Sequence, residues 1–304
     1  MDHFNAHHLL QTANQVAGAQ DYPSSCLYLV PTPIGNLADI SLRSLHVLSI
    51  VDSIACEDTR HAQHLLNQYG IKKKTLFALH QHNEQEASAQ LLQYLKQGQR
   101  IALITDAGTP AISDPGARAV HAVQSAGFRI IPLPGPSSIT TAISAAGLTH
   151  GSILFHGFLP QKTQERHTVL QTLLVTPYAI ALLEAPHRIK SLFAELAEYA
   201  PERTVTVARE LSKQFEQIMT LAAAELPHWL ESKAEHSKGE FVCIIHAPAA
   251  QQKKENFISD KALEEALAYM PTKAAANLIA SLTGESKKEL YQRALTLLKN
   301  KETG

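Results

Sequence analysis

Three short segments set acids beside cations, and a fourth sets two acids in tight turns, each directly after a strand-like run. "EDTRH" begins at Glu57 after residues 51–56, "DAGTPAISDPG" at Asp106 after 101–105, "EAPHR" at Glu184 after 178–183, and "RELSK" at Arg209 after 203–208. A carboxylate can take a proton or hold a divalent cation, and a guanidinium fork matches phosphate oxygens. Asp106-Ala107-Gly108-Thr109-Pro110 sets an acid and a tight turn on a strand end, where glycine lets a ligand approach the backbone closely. Further on, Asp114-Pro115-Gly116 reads as a helix start with Asp114 as N-cap. "PGPSS", residues 134–138, reads either as a plain helix start or as a second binding turn.

Glu57, Asp58, Asp106 and Asp114 could instead cage a magnesium ion, but no Gly-x-x-x-x-Gly-Lys-Ser/Thr loop accompanies them. His61 with His64, and His80 with His82, lack matching ligands nearby and read as ordinary histidines. The chain has neither a Gly-x-Ser-x-Gly elbow nor a Gly-x-Gly-x-x-Gly turn. Lys72-Lys73-Lys74 reads as a solvated loop, with a phosphate contact as the alternative.

The elements that must position these groups alternate. Strand-like runs at 26–30, 51–56, 75–79, 101–105 and 128–133 are separated by helical stretches, which predicts a parallel α/β sheet. Ligands of such sheets bind beyond the carboxyl ends of the strands, where these segments lie. "VPTPIGNLADI", residues 30–40, follows the first strand, and Pro31 and Pro33 stiffen it. A second region, 151–248, carries strand-like runs at 152–156, 178–184, 203–209, 214–219 and 241–246. Their closer spacing predicts a mixed sheet. The expected organisation is a flexible extension over 1–25, an α/β domain over 26–135, a helical connection over 136–150, a second α/β domain over 151–248, and a linker with a helical tail over 249–304.

The totals bound the rest. At 304 residues and 45% hydrophobic content the chain can bury two cores. A net charge of −1 gives no global nucleic-acid signature, so any such contact needs a local patch. No run is long enough to span a membrane, and the first residues lack a signal-peptide pattern. Cys26, Cys56 and Cys243 read as buried free thiols of a reducing cytoplasm.

"YLVPTPIGNLADISLRSL", "CEDTRHAQHLL", "ITDAGTPAISDPG", "PLPGPSSITTAISAAGL", "GFLP", "EAPHR", "ARELSKQFE" and "KGEFV" follow in this order. Over residues 26–246 the chain resembles the bacterial 16S rRNA (cytidine 2′-O-ribose) methyltransferase I family of the tetrapyrrole methylase superfamily. That resemblance implies two α/β domains with S-adenosylmethionine in the cleft between them, and a small helical tail. It also implies 2′-O-methylation of a cytidine in the decoding region of 16S rRNA in the 30S subunit, a homodimer, a cytoplasmic setting and no metal.

By the same resemblance, the cofactor contacts are Pro33, Ala107, Gly108, Thr109, Pro110, Ile112, Ser137, Ser138, Leu183, Ala208 and Gly239. Leu182-Leu183-Glu184-Ala185 stands where the family more often has two aromatics, Glu and Ser. Loss of the ribose proton calls for a base, and Glu57, Asp58, Asp106, Glu184 and Glu210 are the candidates, with Lys213 if its pKa is lowered. Arg60, Arg188, Arg209 and Lys213 suit RNA phosphates. Two further rivals are a methylase acting on a tetrapyrrole and a non-catalytic RNA-binding factor that kept the fold.

Overall fold

Runs of Cys, Leu, Ile, Val and Ala too short for a helix set the strands of the first sheet. The computed structural model describes residues 6–149, 151–248 and 261–302. Strands β1 (Cys26–Leu29), β2 (Ser53–Cys56), β3 (Thr75–Ala78), β4 (Arg100–Leu103) and β5 (Arg129–Pro132) pair in the order β3-β2-β4-β1-β5, all parallel. Alternate side chains serve opposite faces. Tyr28, Ile54 and Ala102 pack with Leu45 of α2 (Leu42–Ile50) and Leu66 of α3 (Thr59–Gln68). Leu27, Ala55 and Leu103 pack with Leu91 of α4 (Glu84–Lys96) and Val123 of α5 (Ala117–Ser125). Burial on both faces explains why these strands lack polar alternation.

The second sheet joins β6 (Ile153–Phe158), β7 (Ala179–Glu184), β8 (Thr204–Arg209), β9 (Gln217–Ala222) and β10 (Phe241–Ile245) in the order β6-β7-β10-β8-β9. Only β6 and β7 run parallel, so the sheet is mixed, as expected. One face packs on α7 (Thr163–Leu174), α8 (Ile189–Tyr199) and α9 (Leu226–Ser232) through Leu170, Phe193 and Leu226. On the other, Ala181, Ala208, Val242 and Ile244 meet Ala142 of α6 (Ser138–Ala145) and Ile34 from the loop after β1. That apolar contact lays the second sheet over the strand-end loops of the first.

Both sheets belong to one compact unit, residues 1–247, and residues 248–304 form a second. In the second unit, helices Thr272–Thr283 and Lys287–Glu302 bury Ala276, Ile279, Leu290 and Ala294 together. The first part of the linker and tail expected over 249–304, residues 249–260, lies outside the described residues. No described helix is long and apolar enough to cross a membrane. Cys26, Cys56 and Cys243 are free and buried.

Three expectations are corrected. The amino-terminal extension contains a helix, α1 (Ala6–Ala17), which packs on α2 with Ala13 fully buried and Asn14 Oδ1 2.8 Å from His46 Nδ1. Strand β9 starts at Gln217, three residues later than the sequence placed it, because a turn with Glu210 and Ser212 at positive φ intervenes. The third correction concerns the start of α5. Its N-cap is Gly116 at φ 120°, and Asp114 does not cap it. Instead the Glu84 carboxylate of α4 accepts from the N–H groups of Gly116 (3.0 Å) and Arg118 (3.1 Å). A helix N-terminus exposes unpaired N–H groups and a positive dipole end, so a carboxylate from a neighbouring helix satisfies it as well as a local one. Glu84→Ala should therefore cost about 1 kcal/mol, lowering Tm by about 2–4 °C in a thermal melt. An unchanged melt would return the capping role to Asp114.

Candidate functional site

The loop after β1 is held from three sides. Thr32 and Gly108 exchange two backbone hydrogen bonds of 2.9 Å, which tie it to the loop after β4. Thr32 Oγ1 also donates to the Thr105 carbonyl. Gly35 lies so close to the second sheet's loop that a Cβ there would sit 2.4 Å from Lys213 Cγ and 3.0 Å from the Leu211 carbonyl oxygen. The rigid turn that opens the chain's motifs is thus a clasp between the two sheets.

The loop after β4 stores backbone strain. Gly108 and Gly116 have positive φ, and so do Ala111 (65°) and Ser113 (61°), which carry side chains. Each non-glycine residue in that region costs about 1–3 kcal/mol and persists only where surrounding structure enforces it. Here Thr109 Oγ1 donates to the Pro136 carbonyl, and Ser113 Oγ packs so near Gly157 that a Cβ on that glycine would lie 2.9 Å away. The loop after β5 ends at Ser137, the N-cap of α6, so "PGPSS" is a helix start that also borders the cavity.

These loops and the ends of β7, β8 and β10 enclose a cavity of about 430 Å³. Ala107, Gly108, Thr109, Ile112, Ser137, Ser138, Leu183 and Ala208 line it, as do Glu57, Asp106 and Glu184. Pro33, Pro110 and Gly239 do not, although Ile34 and Glu240, neighbours of Pro33 and Gly239, do. Gly239 packs instead on the Glu210 carboxyl, where a Cβ would come within 2.5 Å. Asp114, Thr105 and Ile139 line the cavity too, and the sequence did not single them out for it. For Asp114 the signal was its second place in an acid-rich turn, masked by a plausible cap. Among the described residues, five carboxylates (Glu57, Asp106, Asp114, Glu184 and Glu240) and no lysine or arginine border this space.

Burial raises Asp114 to about 6; a Thr105 hydrogen bond opposes the shift, and the charges of Glu57 and Asp106 add to it. Burial, then Asp106, also raises Glu57, which accepts from Thr105 Oγ1 at 3.3 Å. Asp58 does not line the cavity. It caps α3 by accepting from the N–H of Arg60 and His61, and the Arg60 side chain holds its carboxyl well below the usual range. For Glu210, burial favours the neutral form, but the Lys213 ammonium at 2.9 Å and the Glu240 N–H outweigh it and keep the pKa low. Glu184 is pinned, accepting from Ala185 N–H and pairing with Arg188 Nε at 3.1 Å. Its Oε2 is buried without a partner, and burial raises its pKa.

Three of the four cations expected to meet phosphates are engaged internally. Arg188 donates to the carbonyls of Leu159 and Pro160, locking "GFLP" to "EAPHR". Arg209, 7% exposed, donates to the carbonyls of Lys238 and Phe215. Lys213 bridges Glu210 and Glu240, and these partners overcome burial to raise its pKa, so it is no neutral base. Arg60 alone of the four is exposed, beside Asp58. Among the described residues no group of three or more His, Cys, Asp or Glu could hold a metal ion.

A parallel and a mixed sheet close over an acid-lined cavity at the strand ends, a two-sheet α/β architecture with room for a small ligand between the sheets. Residues 26–227 match the model of the Tetrapyrrole (Corrin/Porphyrin) Methylases, and residues 259–298 match that of an RsmI C-terminal HTH domain. The chain belongs to the tetrapyrrole methylase family. It is 40% identical over 292 residues to a protein of Neisseria meningitidis serogroup B named ribosomal RNA small subunit methyltransferase I, covering 95% of this chain and 97% of that one. It is 44% identical over 270 residues to a protein of the same name from Escherichia coli O157:H7, covering 88% and 94%. Among solved structures it resembles a uroporphyrin-III C-methyltransferase of Thermus thermophilus complexed with S-adenosylhomocysteine, with TM-score 0.50 and 15% identity over 72% of this chain and 96% of that one.

Proposed function

We infer that this protein is an S-adenosylmethionine-dependent methyltransferase acting on small-subunit ribosomal RNA, and that it methylates the ribose 2′-oxygen of a cytidine in the decoding region of 16S rRNA. The observation that carries the reading is the cavity's make-up within a methylase fold. S-adenosylmethionine is a net cation with a purine, a ribose and an aliphatic chain. Apolar Ile34, Ile112, Ile139, Leu183 and Val242 suit its purine and thioether flank, and the cation-free carboxylate wall suits its ammonium and sulfonium. The wall suits a phosphate-bearing cofactor poorly.

Ala107, Gly108, Thr109, Ser137 and Ser138 from one sheet, with Leu183 and Ala208 from the other, would hold the cofactor. When bound, it supplies an electrophilic methyl group whose leaving thioether is neutral. The protein's tasks are orientation and proton removal. Orientation within a fixed cleft is worth about 7–11 kcal/mol in well-aligned systems. For the proton, Glu57 and Asp114 are the best placed groups: both line the cavity, both have raised pKa values, and Thr105 Oγ1 between them donates to Glu57. Asp114, raised to about 6, takes the 2′-hydroxyl proton, and the charge of Glu57 beside it helps to keep its pKa raised. Asp58 and Glu210 are held ionised by their own partners and are weaker bases.

The ribosomal substrate implies work in the cytoplasm, and the family resemblance implies a homodimer, which light scattering on the eluted protein would measure. Mass-spectrometric mapping of 16S rRNA from a deletion strain tests the target. Loss of one 2′-O-methylcytidine, restored by the wild-type gene, is expected; an unchanged map would refute it. The tail should aid substrate capture. Deleting residues 251–304 should leave cofactor affinity within about twofold and raise KM for 30S particles by about tenfold, as expected for lost phosphate contacts. Equal KM at moderate salt would make the tail a passive appendage.

A further inference from the structure

The cavity's acidic wall leaves the RNA backbone to be bound elsewhere, and the cations first matched to it are largely engaged internally. One stretch offers a surface for it. From Thr59 to Asn83 the chain holds no Asp or Glu, while it carries Arg60, Lys72, Lys73, Lys74 and four histidines. In a chain of net charge −1 this is a local excess of positive charge.

The fold gathers that stretch into one surface. It forms α3, the following turn and β3, the outer strand of the first sheet. A shallow open groove runs between α3 and β3, lined by Thr59, Arg60, Gln63, His64, Asn67 and Lys74. Lys74 anchors the turn, its Nζ donating to the carbonyls of Ser49 (2.7 Å) and Val51 (2.6 Å) at the end of α2. Lys73 has φ 58°, and both Lys72 and Lys73 are exposed. Among the described residues neither has a carboxylate at ion-pair distance, whereas Arg60 pairs with Asp58. The other nearby acid, Asp52, accepts from Arg100 N–H. The start of the stretch adjoins the cavity. Glu57, two residues before it, lines the cavity.

We propose that the α3–β3 surface, with Lys72, Lys73, Arg60 and the amides of Gln63 and Asn67, is a track for the phosphodiester backbone of the RNA substrate, leading its target nucleotide to the cavity. This rests on the reading of RNA as the substrate. Cations in a row with hydrogen-bonding amides between them match a polyanion with regular spacing, and such contacts position a strand without reading its sequence.

The test uses the full chain with the double charge reversal Lys72→Glu and Lys73→Glu, beside a control reversal of two exposed lysines elsewhere, Lys96→Glu and Lys190→Glu. The first readout is fluorescence anisotropy of a labelled decoding-region RNA hairpin over a salt series. The second is cofactor affinity by calorimetry, and the third is steady-state methylation of undermethylated 30S particles. The expected result is an RNA Kd raised by about tenfold or more and a salt slope smaller by about two, with cofactor affinity and kcat unchanged and the control near wild type. The proposal is overturned if the Lys72/Lys73 variant keeps wild-type RNA affinity and slope, if the control loses as much, or if the wild type does not bind RNA. If RNA binding weakens as expected while the wild type methylates no RNA, the track stands and the proposed reaction fails.

Discussion

Asp114→Asn should lower kcat by about 10²–10⁴-fold, the usual worth of a positioned base, while raising Tm. The two effects share one cause. Burial, helped by Glu57 and Asp106, raises Asp114 to about 6 in the folded protein, above the ordinary aspartate value of 3.8 that applies when unfolded. Between those values the native state binds the extra proton. The stability that comes with it is complete below the unfolded pKa and is lost as pH rises through about 6. At neutral pH the ionised carboxyl therefore burdens the fold, and the neutral amide removes the burden. The same shift sets the sign of the pH dependence. Wild-type turnover should rise with pH through about 6 as Asp114 loses its proton, and the variant should lose that limb. A pH–rate profile with a thermal melt on the same preparation checks both. Wild-type turnover in the variant would remove Asp114 from the chemistry; a lower Tm would assign it a structural role.

Gly108→Val should lower S-adenosylmethionine affinity by at least about 100-fold in a protein that still folds. Gly108 has φ 86°, donates to and accepts from Thr32, and borders the cavity. A β-branched residue is strained at that φ by about 1–3 kcal/mol, and its Cβ would press on Ile34 Cγ2 at 3.4 Å. The loop must shift to relieve this, and Ala107 and Thr109 shift with it. Titration calorimetry gives the affinity and circular dichroism the fold. Affinity within twofold of wild type would show that this turn does not hold the cofactor.

Much of the architecture was legible because the physics that sets it is local. Alternating strands and helices predicted the parallel sheet, and closer strand spacing predicted the mixed one. The placement of the motifs at strand ends predicted a single cleft. What was illegible depends on partners distant in sequence. Asp114-Pro115-Gly116 has the composition of a helix start, yet Glu84, thirty residues earlier, caps that helix and leaves Asp114 to the cavity. Arg188 and Arg209 stand where phosphate ligands could stand, but each instead donates to backbone carbonyls, Leu159 and Pro160 for the first and Lys238 and Phe215 for the second. Gly239 serves to admit the Glu210 carboxyl rather than to line the cavity. Helix α1 reads as a polar extension because its apolar residues, alanines among them, gain a role only on meeting α2.

The central claim is methyl transfer to a ribose oxygen of small-subunit RNA, and one assay meets it directly. Purified protein is given S-adenosylmethionine with a labelled methyl group and 30S particles lacking the modification, and the RNA is then digested to nucleosides. The predicted result is label in 2′-O-methylcytidine alone, abolished in Gly108→Val. Label on a base, or no label on RNA while a tetrapyrrole accepts the methyl group, would contradict the account.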